Sequence, residues 1–162
     1  MSFARTETAI EEIELFIVAH NLQGTTIEKY LSQYILISLC SEMQNAVYMC
    51  VQEHFSTQNF NSNLQKYVET SAKKILRSFE KGEIAGFLSH FGPETKTVFN
   101  DQFINKDEYV ELYANIVKAR HAVAHGEGCN ISFLEIKSGI DVAKLIIEAI
   151  KTALGATVVL NG

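Results

Sequence analysis

The sequence predicts an all-α protein, a compact bundle of about five to six helices. The chain of 162 residues contains only one proline and nine glycines, so long segments lack helix breakers. Apolar residues recur at intervals of three and four along most of these segments. Several segments begin with a serine, threonine or asparagine followed three residues later by a glutamate or glutamine, which is the spacing of a helix capping box.

The composition indicates one helical domain over residues 1–162, with a short C-terminal tail over 156–162. Hydrophobic residues make up 47% of the chain, enough for a sizeable core, and the formal net charge is −5. A general nucleic-acid coat protein is normally basic, so any contact with nucleic acid must be local. The sequence shows no signal pattern and no membrane-length apolar run. Because no apolar run is long enough, we do not expect the protein to associate with membranes. Cys40, Cys50 and Cys129 form no close pair, so we expect a reduced, cytoplasmic protein.

The first two helices are predicted from their capping boxes. Thr8 and Glu11 open the first helix, which starts there or slightly earlier. Thr25 and Glu28 open a second, longer helix that extends to about Phe55. The second helix is apolar on more than one face, so we expect it to be central in the bundle.

Three further segments lead to the candidate site. After a polar connection over 56–63, Ser62 is predicted to cap the third helix. The predicted buried side of this helix consists of Leu64, Tyr67, Val68, Ala72, Ile75, Leu76 and Phe79. A weaker segment then ends at Phe91-Gly92-Pro93, and a proline after a glycine is typical of the first turn of a helix, here about 94–102.

The next helix carries the stretch 119–126, which reads Ala-Arg-His-Ala-Val-Ala-His-Gly and concentrates one guanidinium and two imidazoles. Asn105 is predicted to cap this helix, and Gly126 to end it. A last helix begins at Ser132 and is predicted to end before Gly155.

Arg120 interrupts an apolar face of its helix, the face formed by Tyr109, Tyr113, Ile116, Val117, Val123 and Ala124. A lone charge there is unfavourable unless it meets an anion, a carboxylate or a hydrated interface. His121 and His125 are four residues apart and therefore neighbours on the helix edge. His125 also lies at the helix C-terminus, where the dipole favours imidazolium.

The residues alone leave structural interpretations open. Arg120 could pair with Glu42, Glu127 or another carboxylate, His125 could cap the helix, and His121 could be a surface residue. A metal site at the histidine pair is the weakest interpretation, because no third ligand follows at a suitable spacing. We therefore expect neither a metal nor a cofactor.

The motif resembles the signature of the HEPN superfamily, Arg-Asn-x-x-Ala-His at the end of a helix. Arg120, Ala124, His125 and Gly126 match this pattern, whereas His121 replaces the usual asparagine. HEPN domains are compact helical domains, and many of them are ribonucleases and toxins.

The resemblance extends beyond the motif. The stretch from Phe91 through Phe99 and the helix from Asp107 resemble the RiboL-PSP and MAE-type HEPN branches. Glu42 falls where those branches often carry a glutamate in their second helix. The branch paired with a nucleotidyltransferase antitoxin commonly has a tyrosine two places after the motif histidine, and Glu127 at that position argues against this branch.

The resemblance implies metal-independent cleavage of RNA by attack of the ribose 2′-OH on the adjacent phosphate, as in a toxin or an antiphage defence effector. His125 would act as acid or base, Arg120 would stabilise the transition state, and His121 would be a second proton donor or phosphate contact. The implied partners are RNA, a second copy docked through the motif helix, and an antitoxin protein.

Two alternatives remain at the level of the sequence. One is a non-catalytic HEPN module that binds RNA, a nucleotide or a protein partner. The other is a purely structural helical dimer, in which the motif residues affect stability alone.

Overall fold

The computed structural model describes residues 3–56, 61–128 and 131–160, with side chains described as far as Gly155. These residues form seven α-helices and no strand, which confirms the all-α prediction. The helices are α1 (Ala4–Ala19), α2 (Thr26–Ser56), α3 (Ser62–Ile75), α4 (Lys81–Leu88), α5 (Pro93–Asp101), α6 (Asp107–Ala124) and α7 (Phe133–Leu160). A 3₁₀ turn, Ser89–Phe91, joins α4 to α5. The count exceeds five to six because the weak segment before Phe91 forms a helix of its own.

The two longest helices, α2 and α7, pack together and form the centre of the bundle. The helices α1, α3 and α6 also pack on α2, and α5 and α6 pack on α7. The side chains of Leu36 and Leu39 on α2 and of Ile136 and Ile146 on α7 are almost fully buried. The second helix is therefore central, as predicted. Within the part of the chain that the structure describes, no helix is long and apolar enough to cross a membrane.

The predicted capping boxes at α2 and α7 are correct. The hydroxyl of Thr25 accepts a hydrogen bond from the Glu28 amide at 3.3 Å, and the Glu28 carboxylate accepts one from the Gly24 amide at 2.5 Å. At α7, the Ser132 hydroxyl accepts from the Glu135 amide at 3.2 Å, and the Glu135 carboxylate accepts from the Ser132 amide at 2.8 Å. These bonds from Ser132 hold the pKa of Glu135 below its usual value.

The side-chain caps predicted for the other three helices, α1, α3 and α6, are wrong. The cap of α3 is Asn61 rather than Ser62, because the Asn61 side chain accepts a hydrogen bond from the Asn63 amide at 2.8 Å. The helix α6 begins after Lys106 without a side-chain cap, so Asn105 does not cap it. Asn105 instead adopts a positive φ of 60° in the turn before the helix, which removes its side chain from the capping position.

The helix α1 receives its cap from α2. The Glu42 carboxylate accepts hydrogen bonds from the amides of Arg5 at 3.3 Å and Thr6 at 3.0 Å. The buried hydroxyls of Thr6 and Ser38 lie 3.2 Å apart beside this contact. The helix therefore starts before Thr8, because a carboxylate from another helix satisfies its first amide groups.

The predicted buried side of α3 is wrong at three of its seven positions. Leu64, Tyr67 and Ile75 are 43%, 70% and 39% exposed, and Ala72 is the one residue of α3 that is fully buried. Leu76 and Phe79, which follow the helix, are buried as predicted, and Val68 is partly buried against the core. The periodicity of α3 is genuine, but the helix packs mainly on α2 through a small side chain and its apolar face remains open.

The last helix does not end before Gly155 but continues to Leu160, so most of the predicted tail over 156–162 is helical. A glycine inside a helix costs only about 1 kcal/mol, and the burial of the preceding Ala153 and Leu154 outweighs that penalty. Residues 161–162, like Cys129 and residues 57–60 of the predicted connection after α2, lie outside the described residues.

Gly139 of α7 lets three helices meet closely. A β-carbon at this position would lie 2.5 Å from Cδ1 of Ile116 on α6 and 3.1 Å from Cδ2 of Leu39 on α2. Ile116 and Leu39 are themselves 2% and 1% exposed, so they have little room to move. The missing side chain at position 139 therefore sets how closely the motif helix α6 approaches the bundle.

Gly139→Ala should lower the free energy of unfolding by about 1–2 kcal/mol, because overpacking exceeds the gain in helix propensity. Urea unfolding followed by circular dichroism measures this change. Gly155→Ala is the matched control on the same helix: nothing lies within 4 Å of a β-carbon there. It should raise the free energy of unfolding by about 0.5–1 kcal/mol. Equal stabilisation by both substitutions would contradict the packing explanation.

Candidate functional site

The C-terminal end of α6 is fixed by hydrogen bonds around its last turn. The Gly126 amide donates to the Val123 carbonyl at 3.1 Å, and the Glu127 amide donates to the Ala122 carbonyl at 2.9 Å. This pair of bonds is a Schellman motif, which requires a positive φ at its turning residue, and Gly126 has a φ of 75°. Gly126 therefore ends the helix, as predicted, and determines the backbone position of His125.

His125 is the C-cap residue of α6, and its amide donates to the carbonyls of His121 at 3.1 Å and Ala122 at 3.2 Å. The capping interpretation is therefore correct for its backbone. Its imidazole is exposed and makes no hydrogen bond with the residues that the structure describes. His121, one turn earlier, is half-buried and is likewise without a side-chain hydrogen bond in the described chain. Both rings are thus available to a ligand.

Arg120 lies where the buried face of α6 opens to solvent. Tyr113, Ile116 and Val117 are buried, Arg120 is half-buried and Ala124 is exposed. The ion pairs of the described residues are Lys137–Glu14, Lys144–Glu7 and Lys151–Glu148. Arg120 therefore has no carboxylate partner within the described part of the chain.

The neighbour of Arg120 on α2 is Cys40. Burial raises the pKa of the Cys40 thiol to about 12, and the positive charge of Arg120 opposes this rise. An electrostatic effect of this kind requires proximity, so the guanidinium lies close to this part of α2. With so high a pKa the thiol stays neutral near pH 7, and it does not compete with an anionic ligand for Arg120.

Neither carboxylate considered as a partner for Arg120 pairs with it. The Glu42 carboxylate accepts its hydrogen bonds from the amides at the start of α1. Glu127 is exposed after the end of α6. A half-buried guanidinium without a protein anion, on the same helix end as two imidazoles, can bind a phosphate.

A buried tyrosine anchors α6 two turns before the motif. The Tyr113 hydroxyl donates to the carbonyl of Phe79, in the corner between α3 and α4. Glu83 holds that corner by accepting hydrogen bonds from the amides of Ser78 at 2.9 Å and Phe79 at 2.7 Å. Burial raises the pKa of Tyr113 well above its usual value, so the hydroxyl remains a donor. This contact fixes the rotation of α6 and hence the direction of Arg120.

Lys29 was missed by sequence reasoning. A β-carbon on Gly128 would lie 3.4 Å from the Lys29 Nζ, so this ammonium lies against the segment that follows the motif. Lys118 and Arg120 contribute further positive charge from α6 itself. No local pattern connects Lys29 on α2 to Gly128, because their contact exists only in the folded chain.

The structure places Arg120, His121 and His125 on the last turns of one helix, as their spacing predicted. Arg120 and His125 are separated by about 140° around an ideal helix, so one copy of the chain presents them in different directions. Within the described residues, no three His, Cys, Asp or Glu side chains are grouped so that they could hold a metal ion.

Comparison with known families gives one match. The RiboL-PSP-HEPN family matches the chain over residues 4–156, which include every helix except the last residues of α7. No curated protein and no solved structure is similar enough to the chain to count as a match. The matched range contains the whole candidate site.

Gly126→Ala should lower the free energy of unfolding by about 1 kcal/mol, because alanine is strained at a φ of 75°. Nothing lies within 4 Å of a β-carbon at this position, so a steric clash does not contribute. Gly126→Asn should cost less, because asparagine tolerates this conformation. Urea unfolding of the two variants tests the explanation, which fails if they lose the same amount of stability.

Proposed function

We propose, from the premise that the chain belongs to the RiboL-PSP-HEPN family, that it is an endoribonuclease that cleaves RNA without a metal ion. The observation that carries the proposal is the environment of Arg120. Its half-buried guanidinium has no carboxylate partner in the described chain and lies on the same helix end as His121 and His125. This is a combination of groups that can bind a phosphate and move a proton.

In the proposed reaction the ribose 2′-OH attacks the adjacent phosphorus atom. An unprotonated imidazole takes the 2′-OH proton while the O2′–P bond forms. The P–O5′ bond then breaks, and a protonated imidazole gives its proton to the leaving 5′-oxygen. The products are a 2′,3′-cyclic phosphate and a 5′-hydroxyl. We assign His125 to acid or base catalysis and Arg120 to neutralising the charge that develops on the phosphate oxygens. His121 is the second proton donor or a phosphate contact.

One helix end does not aim Arg120 and His125 at the same phosphate, so we propose that the enzyme is a homodimer. A two-fold axis beside α6 would place Arg120 of one copy near His125 of the other and complete two equivalent sites.

An exposed apolar stripe on α2 supports the dimer. Ile27, Tyr30, Tyr34 and Ile37 are 50%, 65%, 53% and 41% exposed, and their spacing places them on one side of the N-terminal half of the helix. We call this set the α2 stripe. It ends less than one turn before Cys40, the neighbour of Arg120, so it continues directly into the candidate site. Exposed tyrosine and isoleucine side chains in a contiguous patch are typical of protein interfaces.

An RNA-cleaving enzyme of this kind would act in the cytoplasm as a toxin or as an antiphage defence effector. An antitoxin protein that covers the exposed His125 would restrain it. This setting is implied by the family and is part of the proposal.

A non-catalytic HEPN module that binds RNA is the second candidate function. It is favoured by the absence of any hydrogen bond between the two imidazoles and the described residues, because acid–base catalysis needs an oriented ring. Binding of RNA by the dimer without any cleavage product would establish this function instead.

Purified protein should cleave RNA in the presence of EDTA, and Arg120→Ala and His125→Ala should each reduce the rate at least about 100-fold. His121→Ala should have a smaller effect. Product analysis should show the cyclic phosphate, and a 2′-deoxy substitution at the cleaved position should block the reaction. His20→Ala is the matched control, since His20 is an exposed histidine at the C-cap of α1, just as His125 is at the C-cap of α6. Cleavage of the deoxy substrate, or dependence on a divalent metal, would contradict the mechanism.

Replacing two tyrosines of the α2 stripe, Tyr30→Ser with Tyr34→Ser, should weaken dimerisation at least about tenfold and lower activity in parallel. Analytical ultracentrifugation and the cleavage assay, both over a range of protein concentrations, measure the two effects. Tyr67→Ser is the matched control, because Tyr67 is an exposed tyrosine on α3. A dimer that survives the double substitution would place the interface on another surface.

A further inference from the structure

A cleft of about 380 Å³ lies beside the last turns of α6, on a face of this helix that the proposed mechanism does not use. The lining residues are Asn115, Lys118, Ala119, Ala122, Glu127, Gly128, Ile131 and Glu135. The four residues from α6 share one helix face, which is turned about 150° from Arg120. His125 lies between this face and Arg120 at the helix end. We call this space the Lys118 cleft.

The lining of the cleft combines the groups that a nucleotide requires. Ala119, Ala122 and Ile131 form an apolar floor, and Lys118 is an exposed cation without an ion pair in the described chain. Glu127 is an exposed carboxylate directly after the motif. The size of the cleft is that of a small-ligand site.

A second carboxylate of the cleft is rigidly held. Glu135 accepts hydrogen bonds from the amide and hydroxyl of Ser132 at 2.8 and 2.7 Å, and these bonds keep it ionised. It remains a fixed negative charge at the wall of the cleft, so the phosphate must lie at the Lys118 side.

The neighbouring cleft between α6 and α7 provides a contrast. Its lining includes Glu108 and Asp141 but no lysine or arginine among the described residues. A phosphate would be repelled there. Of these two clefts, the one at the motif end of α6 is the one whose described lining offers a cation to a phosphate.

We propose that the Lys118 cleft binds the nucleotide next to the scissile phosphate, with Lys118 on the flanking phosphate and Glu127 on the edge of the base. This inference rests on the proposed function, because it names the part of the RNA that approaches His125 from the side opposite Arg120. It assigns to this chain a means of selecting the RNA sequence.

In this proposal the carboxylate of Glu127 determines which RNA bases the cleft binds. Glu127 can only accept hydrogen bonds when it is ionised. Adenine, cytosine and guanine each present an amino group that donates to it, whereas uracil presents two carbonyl oxygens on either side of one N–H. The cleft should therefore favour an amino-bearing base and disfavour uracil.

Binding is measured by fluorescence anisotropy of labelled oligocytidylate and oligouridylate, with His125→Ala in every protein so that the RNA stays intact. Lys118→Met should weaken binding of both probes about fivefold and reduce the slope of log affinity against log salt concentration by about one. Lys66→Met is the matched control, because Lys66 is an exposed lysine on α3. It should change neither quantity.

Base selection is read from the ratio of the two affinities. The parent protein should bind oligocytidylate roughly five- to tenfold more tightly than oligouridylate, and Glu127→Gln should remove most of this preference. Glu111→Gln should preserve it, because Glu111 is an exposed glutamate on α6 that does not line the cleft. The conservative substitutions retain side-chain size, and circular dichroism checks that each variant is folded.

The inference is overturned if Lys118→Met behaves like Lys66→Met, if the parent protein does not distinguish the two probes, or if it binds no RNA. If the protein discriminates between the probes as expected but the intact chain cleaves no RNA, the nuclease proposal fails and the nucleotide subsite stands.

Discussion

Because position 139 has no side chain, Ile116 of α6 and Leu39 of α2 pack against the backbone of α7. Arg120 lies one turn beyond Ile116, and Cys40 directly follows Leu39. The contact that closes the core therefore also places the charge of Arg120 where it lowers the pKa of the Cys40 thiol against the effect of burial. Arg120 extends the packed face of α6 beyond the point where neighbouring helices can cover it. This explains how a charged residue is accommodated on an apolar face without a protein counter-ion.

Three cationic side chains, Lys29, Lys118 and Arg120, lie on or beside the last turns of α6. The three lysines of α7 that form ion pairs are neutralised by glutamates, of which two belong to α1 and one to α7 itself. Such exposed pairs contribute little to stability, but they cancel charge locally. Lys29, Lys118 and Arg120 are not paired in this way within the described chain. An acidic protein, with a net charge of −5, can therefore still attract an anion at one place.

The sequence predicted those features that depend on neighbouring residues. The capping boxes at Thr25 and Ser132, the helix end at Gly126 and the grouping of the motif on α6 are all set by local spacing. The predictions failed where the structure of a segment depends on a helix that is distant in the sequence. Glu42 of α2 moves the start of α1, and Leu64, Tyr67 and Ile75 of α3 stay exposed although their spacing is that of a packed face.

The same distinction applies to the site. Arg120, His121 and His125 could be identified from the motif and from the family resemblance. Cys40 and Lys29 could not be placed beside them, because they lie on α2 and meet α6 or the following segment only after folding. Local pattern thus identifies the groups capable of chemistry, whereas tertiary packing determines their surroundings.

The Schellman motif at the end of α6 has a consequence for how this protein can diverge. Every hydrogen bond that places the backbone of His125 is made between residues 121 and 127. The sequence between Glu127 and the next helix cap at Ser132 can therefore change in length or composition without displacing the histidine. Gly128 and Ile131 of that segment line the cleft beside α6. Substitutions there can accordingly change the wall of the cleft while His125 remains in place.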